Sequence, residues 1–476
     1  MTPAAPSAWT GFIFVGVVVL DLLVLASSRL RGAIRTVALQ GAVLSTLPLA
    51  LATGEHQVLH VVALAAGALV VKGLVIPGMM LWAMREAAIR REAEPIVGFV
   101  ASLVLGAVGV VAAFTFAGTL PLPIPERHPL LVPTALATVW TGLLLVVTRR
   151  KAVAQVLGFL MVENGVFVFG LLLSDFMPVM VEAGVLLDLL AATFVMGIVM
   201  FHINREFASL DTRRLTSLRD CSVLLALVLA PALLAALAFA LPWAQVRPRV
   251  LLAGAAVHAG GVAALWPWPS SPALGGWLAV DPAGLLALST VSAVFLVCAV
   301  YVQGYLATHP ERDNRVFVGS LLVLLAAMTA VALAQHLGLL WVVIEVTTLA
   351  TAPLIYFRHD ARSLEATWKY LMVCSLGIAL ALLGTFFLAL SSAGPGGPRT
   401  LLLPELSAAG ATLSRPWVRA AFVFLLAGYG TKMGLAPFHA WKPDAYGEAP
   451  GVLGALLSGG VTNIAFLALV RVVTVC

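Results

Sequence analysis

Two ionisable residues stand where ionisable residues are expensive. Lys432 lies in GYGTKMGLAPFHAWKPDAYGEAP, residues 428–450, with Gly430 and Gly434 flanking it and Pro437 five residues on. Glu345 lies in LGLLWVVIEVTTLATAPLI, with Trp341 one turn before it and Thr347, Thr348 and Thr351 after it. A charge at the centre of a membrane helix costs about 2.5–3.5 kcal/mol on insertion scales, so each needs a reason. Glycines and a proline loosen helical turns, and broken helices at mid-membrane are a known device for ion sites. Burial favours the neutral form of each group, while their mutual attraction favours the charged form. A Glu–Lys pair can therefore exchange between charged and neutral states near neutral pH, which an arginine could not do. The same two residues would serve equally as a static ion pair that fixes helix packing. Both readings stand at this point.

Other charges repeat the theme. Lys72, in LVVKGLVIPG, is followed by Gly73 and by Pro77, the same plus-five proline. Glu163, in GFLMVENGVFVFG, and Asp188, in EAGVLLDLLAATF, fall on consecutive apolar segments and are candidates for a proton path. Glu182 precedes Asp188 by less than two turns, points elsewhere and lies nearer a helix end. Asp21 and Lys369 also lie toward segment ends, where snorkelling to the headgroups accounts for a charge.

These side chains need membrane helices to position them. The 476-residue chain is 61% hydrophobic and only 11% charged, and its mean hydropathy is +1.04. Spanning segments need roughly 20 apolar residues each. In lipid the backbone must bond within its own segment, which selects helices. The reading is an all-α polytopic bundle of about fifteen helices with a discontinuous helix around Lys432. The spans are expected near 8–26, 35–53, 57–83, 96–118, 130–148, 152–174, 177–203, 221–243, 249–266, 282–306, 316–335, 337–357, 366–392, 418–442 and 449–474. The first run has no basic flank and no small-residue cleavage site, so it reads as a retained helix.

The formal charge of +6 is mostly loop arginine. On such a chain it speaks of topology and lipid headgroups rather than nucleic acid. Cys221, Cys298, Cys374 and Cys476 are far apart and share no metal-ligand spacing. No disulfide framework, iron–sulfur cluster, phosphate loop or dinucleotide fingerprint is expected. The longest charged connection, NREFASLDTRRLTSLRD at 204–220, divides two apolar blocks and sets the expected domains at 1–215 and 216–476. Arginines of alternate loops in the first block place residues 204–220 in the cytoplasm by the positive-inside rule. Counting on, the loops with Arg312, Arg315, Arg358 and Arg362 fall outside, against their own charge bias.

Residues 337–357 and 428–450 resemble the antiporter-like subunits shared by respiratory complex I, Mrp-type cation/proton antiporters and group 4 nickel–iron hydrogenases. The motif carrying the resemblance is Pro437, Phe438, His439, Trp441, Pro443, Asp444, Ala445, Ala449 and Pro450. Residues 1–215 resemble the small membrane subunit of hydrogenase-4, related to the complex I subunit with two intramembrane carboxylates. RRKAVAQVLGFLMVENGVFVFGLLL and the run ending GIVMFHINREF carry that likeness. The resemblance implies that Glu345 tunes the proton affinity of Lys432, and that Glu163 and Asp188 match the two carboxylates. It implies a family fold of about fourteen helices in two inverted repeats, of which residues 216–476 correspond to the first. A further lysine often found on the next helix of that family is replaced here by Asn463, which cannot titrate.

Residues and resemblance together imply an ion-translocating membrane subunit of a redox complex, with a stand-alone Mrp-like cation/proton antiporter subunit or a non-pumping membrane scaffold as the alternatives. It resembles a fusion of hydrogenase-4 or formate hydrogenlyase subunits in an inner membrane. Protons, or sodium ions, would be moved by Glu345, Lys432, Glu163, Asp188, Lys72, His439 and Glu182. The chain would carry no cofactor; nickel–iron and iron–sulfur centres would belong to partner subunits.

Overall fold

The structure is a computed structural model and describes residues 8–51, 58–86, 96–121, 129–173, 223–268, 270–308, 313–393, 397–398 and 400–476. Glu182 and Asp188, the expected helix 177–203 and the connection 204–220 lie outside the described residues. Within them the chain is all-α, with twelve helices long and apolar enough to cross a membrane. It is a multi-pass membrane protein. Two more of the expected spans are present as helices, Arg247–Ala264 and Arg415–Met433.

The chain divides into two compact units. Unit 1 comprises Met1–Glu206 with Phe386–Arg399 and Ser414–Ala421. Its helices are α1 (Ala8–Ala26), α2 (Leu30–Leu44), α3 (Leu47–Leu51), α4 (Val58–Ala68), α5 (Ile76–Glu86), α6 (Phe99–Ala117), α7 (Leu131–Thr148) and α8 (Ala152–Gly170). Lipid is as apolar as leucine, so helices there associate through small residues that admit close packing. On α6 the buried positions are Ser102, Gly106, Gly109 and Ala113, three or four apart, while Val100, Val104, Val108 and Val111 are exposed. On α7 and α8 the approach is closer still. A Cβ on Gly142 would stand 2.7 Å from the Gly158 carbonyl oxygen, and one on Gly158 would stand 2.7 Å from that of Gly142. That crossing sets the height of Glu163 and Asn164, about one turn further along α8.

Unit 2 comprises Phe207–Thr385, Thr400–Leu413 and Phe422–Cys476. The helices after α8 are α9 (Val223–Ala240), α10 (Arg247–Ala264), α11 (Pro282–Ala307), α12 (Arg315–Leu333), α13 (Leu337–Ile355), α14 (Ala361–Ser392), α15 (Leu403–Ala408), α16 (Arg415–Met433), α17 (Trp441–Glu448), α18 (Gly451–Leu456) and α19 (Thr462–Val475). Their buried polar groups are tied to one another, as the interior demands. Arg471 of α19 reaches Asp281 and the carbonyls of Val331 and Ala332, while Gln335 donates to Asp281 at 2.9 Å. His258 of α10 lies between Ser292 (3.0 Å) and Thr329 (2.8 Å).

Two stretches among the described residues are π-helical. Leu69–Val75, between α4 and α5, is a π-helical stretch containing Lys72. Leu457–Val461, between α18 and α19, is another. Such widened turns concentrate at functional sites.

Candidate functional site

Unit 2 brings Glu345 and Lys432 into one buried polar centre. Glu345 is 3% exposed on α13, and its Oε1 accepts from Ser375 of α14 at 2.9 Å. Its Oε2 has no hydrogen-bond partner among the described residues. One turn earlier Trp341 donates to the Ile378 carbonyl at 2.8 Å, locking α13 to α14. One turn later Thr348 shares the face of Glu345, because residues three apart are neighbours on a helix.

The helix carrying Lys432 stops rather than bends. Gly434 takes φ +81°, a left-handed conformation that favours glycine. Leu435 N–H bonds the Gly430 carbonyl at 2.8 Å and Gly434 N–H bonds that of Thr431 at 3.1 Å. This is a Schellman closure, and it leaves Lys432 in the last turn of α16. There the helix dipole favours a cation. The α14–α16 approach depends on glycines: a Cβ on Gly428 would meet the Ala381 Cβ and the Gly377 carbonyl oxygen, each at 2.6 Å. Lys432, 1% exposed, donates to Thr348 Oγ1 at 3.0 Å and to Tyr370 OH at 2.7 Å. Among the described residues no direct ion pair joins it to Glu345. A neutral hydroxyl stands in between.

The motif residues divide by position. Trp441 is buried, donates to the Thr431 carbonyl at 3.0 Å and meets the Tyr370 ring edge-on at 5.1 Å. It therefore braces both sides of the lysine. Asp444 holds Lys369 at 2.7 Å, and Lys369 also pairs with Glu365 at 2.8 Å. Pro443 lies within α17 and Pro450 caps α18. Pro437 and His439 lie in the exposed segment between α16 and α17, away from the buried centre. Asn463 donates to the Gly459 carbonyl of the π stretch at 3.1 Å, and beside it Lys442 donates to Thr462 at 3.3 Å.

In unit 1, Glu163 and Lys72 line the same small cavity with Asn164, Ile76, Pro77 and Met80. Lys72 donates to Asn164 Oδ1 at 3.2 Å. Asp21 corrects the expectation of a snorkelling carboxylate. It is 0% exposed, with Gln40 donating to it at 2.6 Å and Thr138 at 2.8 Å. Its place on the buried face of α1, with both oxygens engaged by neighbouring helices, gives it no route to the headgroups. Glu182 and Asp188 lie outside the described residues, so their place relative to Glu163 is not described.

The family described as NADH:quinone oxidoreductase/Mrp antiporter, TM, matches residues 334–476. That stretch runs from just before α13 to Cys476 and contains the whole Glu345–Lys432 centre. Over residues 334–476 the chain is similar to this antiporter family. The hydrogenase-4 component F homolog of Methylacidiphilum infernorum is 34% identical over 205 residues, covering 41% of this chain and 43% of that protein. An uncharacterized protein of Mycobacterium tuberculosis, Rv0085, is 33% identical over 225 residues, covering 46% of this chain and 100% of that protein. A chain of respiratory complex I from Thermus thermophilus with bound aureothin aligns at 27% identity and a TM-score of 0.45, covering 52% of each chain. The match thus spans less than half the length of the component F homolog and about half that of the complex I chain.

Within the antiporter-family segment the structure adds side chains that the sequence does not single out. Tyr370 and Ser375 of α14 are both hydrogen-bonded to the central pair. Their signal is faint: Thr367, Tyr370 and Cys374 recur at three- and four-residue spacing on one face of an otherwise apolar helix.

Proposed function

We propose that this chain is an ion-translocating membrane subunit of an energy-converting complex of the hydrogenase-4 or formate hydrogenlyase kind. Protons are the favoured cargo, with sodium ions the other candidate. Redox cofactors reside in partner subunits, and the assembly sits in the inner, cytoplasmic membrane. The reading rests on one observation above all. A fully buried lysine at a helix end is held by two hydroxyls, one of them a turn away from a carboxylate that has an oxygen to spare. An ammonium so held can release a proton without breaking a salt bridge, because Thr348 and Tyr370 can each reorient a hydroxyl toward the neutral amine. Glu345 supplies the charge that biases that release.

The family match over 334–476 and the likeness to the component F homolog support this reading. In the same proposal residues 1–215 form a small-subunit-like domain fused to the antiporter-like domain 216–476, with Lys72, Glu163, Asp188 and Glu182 extending the path and His439 facing its aqueous end. The test uses the native complex, purified through a tag on this chain and returned to vesicles. Glu345→Gln and Lys432→Ala each leave assembly and electron transfer intact and reduce ion uptake at least tenfold. Uptake that survives both substitutions overturns the reading.

A further inference from the structure

Unit 1 holds a hydrogen-bonded chain that runs in one direction from a lysine to a carboxylate. Lys72 Nζ donates to Asn164 Oδ1 at 3.2 Å, Asn164 Nδ2 donates to Gln40 Oε1 at 3.2 Å, and Gln40 Nε2 donates to Asp21 Oδ1 at 2.6 Å. Thr138 closes the far end, donating to Asp21 Oδ2 at 2.8 Å. The amide orientations are forced by the ends: an ammonium only donates and a carboxylate only accepts, so each carboxamide between them has a single arrangement that satisfies both neighbours. Four helical segments contribute, namely α1, α2, α8 and the π stretch, with α7 adding Thr138.

We propose that Asp21 is the fixed counter-charge of Lys72, delivered through the Gln40–Asn164 bridge, and that Lys72 so held is a proton-binding site of unit 1 whose port is the adjoining cavity. A carboxamide nitrogen has its lone pair tied up in the amide bond, so the bridge carries the electric field and not the proton. Aligned dipoles in a low-dielectric interior strengthen one another. The proton therefore passes at the Lys72 end, between its ammonium and water in a cavity of about 10 Å³, close to the room one water needs. In that step Lys72 gives up one N–H bond and water becomes hydronium.

The other groups facing this chain are few. Glu163 lines the cavity, and the Phe167 ring centroid lies 4.7 Å from Lys72 Nζ. Arg149 is committed to the Leu25 carbonyl at 2.7 Å and to Ser102 at 3.2 Å, while Arg31 and Arg35 of α2 are exposed. Lys72 is thus the one cation with a hydrogen-bonded connection to Asp21 among the described residues.

The inference rests on the proposed function and deepens the part that Lys72 has in it, and its test reads protonation rather than ion flux. The infrared carbonyl band of a protonated Asp21 is isolated in the native complex as the signal that Asp21→Asn removes. At neutral pH the wild type shows little of it. Lys72→Met, which removes the cation, and Asn164→Ala, which breaks the bridge, each raise it at least threefold, whereas Lys72→Arg, which keeps the charge, does not. The amide band of each sample confirms its helix content. A band already full in the wild type, or unchanged by Lys72→Met, overturns the proposal. Either result leaves the Glu345–Lys432 reading to stand or fall on its own uptake measurement.

Discussion

Lys432 donates to the hydroxyl of Tyr370 at 2.7 Å, with the ammonium also 4.9 Å from the centre of the same ring. The tyrosine therefore holds the lysine through its oxygen, with the ring close by. Tyr370→Phe keeps the ring and removes the acceptor. A hydrogen bond to a charged group is worth about 1.5–3 kcal/mol, so ion uptake falls roughly tenfold while assembly is retained. Lys432→Arg keeps the charge but cannot release a proton, and it abolishes uptake altogether. Uptake in vesicles containing the purified complex checks both. Wild-type uptake by the arginine variant would mean that a fixed charge suffices.

The site depends on how closely α14 and α16 approach. Gly428→Val places its first carbon where the Ala381 Cβ and the Gly377 carbonyl already stand at 2.6 Å, and adds two methyls beyond it. Overpacking of this kind costs about 1–3 kcal/mol. Thermal unfolding in detergent should show that loss, together with reduced uptake, because the shift moves Lys432 away from Tyr370. At Gly447, where an added Cβ meets nothing within 4 Å, the substitution to alanine leaves the unfolding midpoint unchanged.

His336 gives the chain a pH dependence outside the membrane spans. It caps α13 by accepting from Leu339 N–H at 3.4 Å and stacks on Trp277 at 4.1 Å. Burial pulls its pKa down from 6.5 to about 4. The folded state then binds fewer protons than the unfolded state between those values, so stability present above pH 6.5 is lost as pH falls toward 4. His336→Asn retains a capping oxygen and removes the titration. Its unfolding midpoint should drop less than that of the wild type between pH 7 and pH 5, and an identical drop would assign the dependence to another group.

Much of this architecture is legible in the sequence, because membrane helices announce themselves by the length of their apolar runs. Glu345 and Lys432 are legible because each stands out against such a run. Asp21 is not, since its partners Gln40 and Thr138 come from other helices and nothing in the local sequence names them. The two lysines with plus-five prolines show a further limit. The shared pattern predicts a weakened helix at both, and the structure meets it in two ways. Gly434 turns left-handed and ends α16, whereas Gly73 stays helical, packed on Ala42, and the turn around Lys72 merely widens. The Glu345–Lys432 pairing is also less direct than two opposite charges suggest, because spacing along a helix does not reveal a hydroxyl standing between them.

The widened turn at Leu69–Val75 behaves mechanically as a dislocation. One extra residue is stored in the coil, and it can pass to a neighbouring position by exchanging one carbonyl partner for the next, without unwinding the helix. Each such step rotates the side chains it crosses by about 100°. Lys72 sits inside the stored turn, so such a step would carry its ammonium away from Asn164. The second widened turn, at Leu457–Val461, lies directly before Thr462 and Asn463 and stores a residue in the same way.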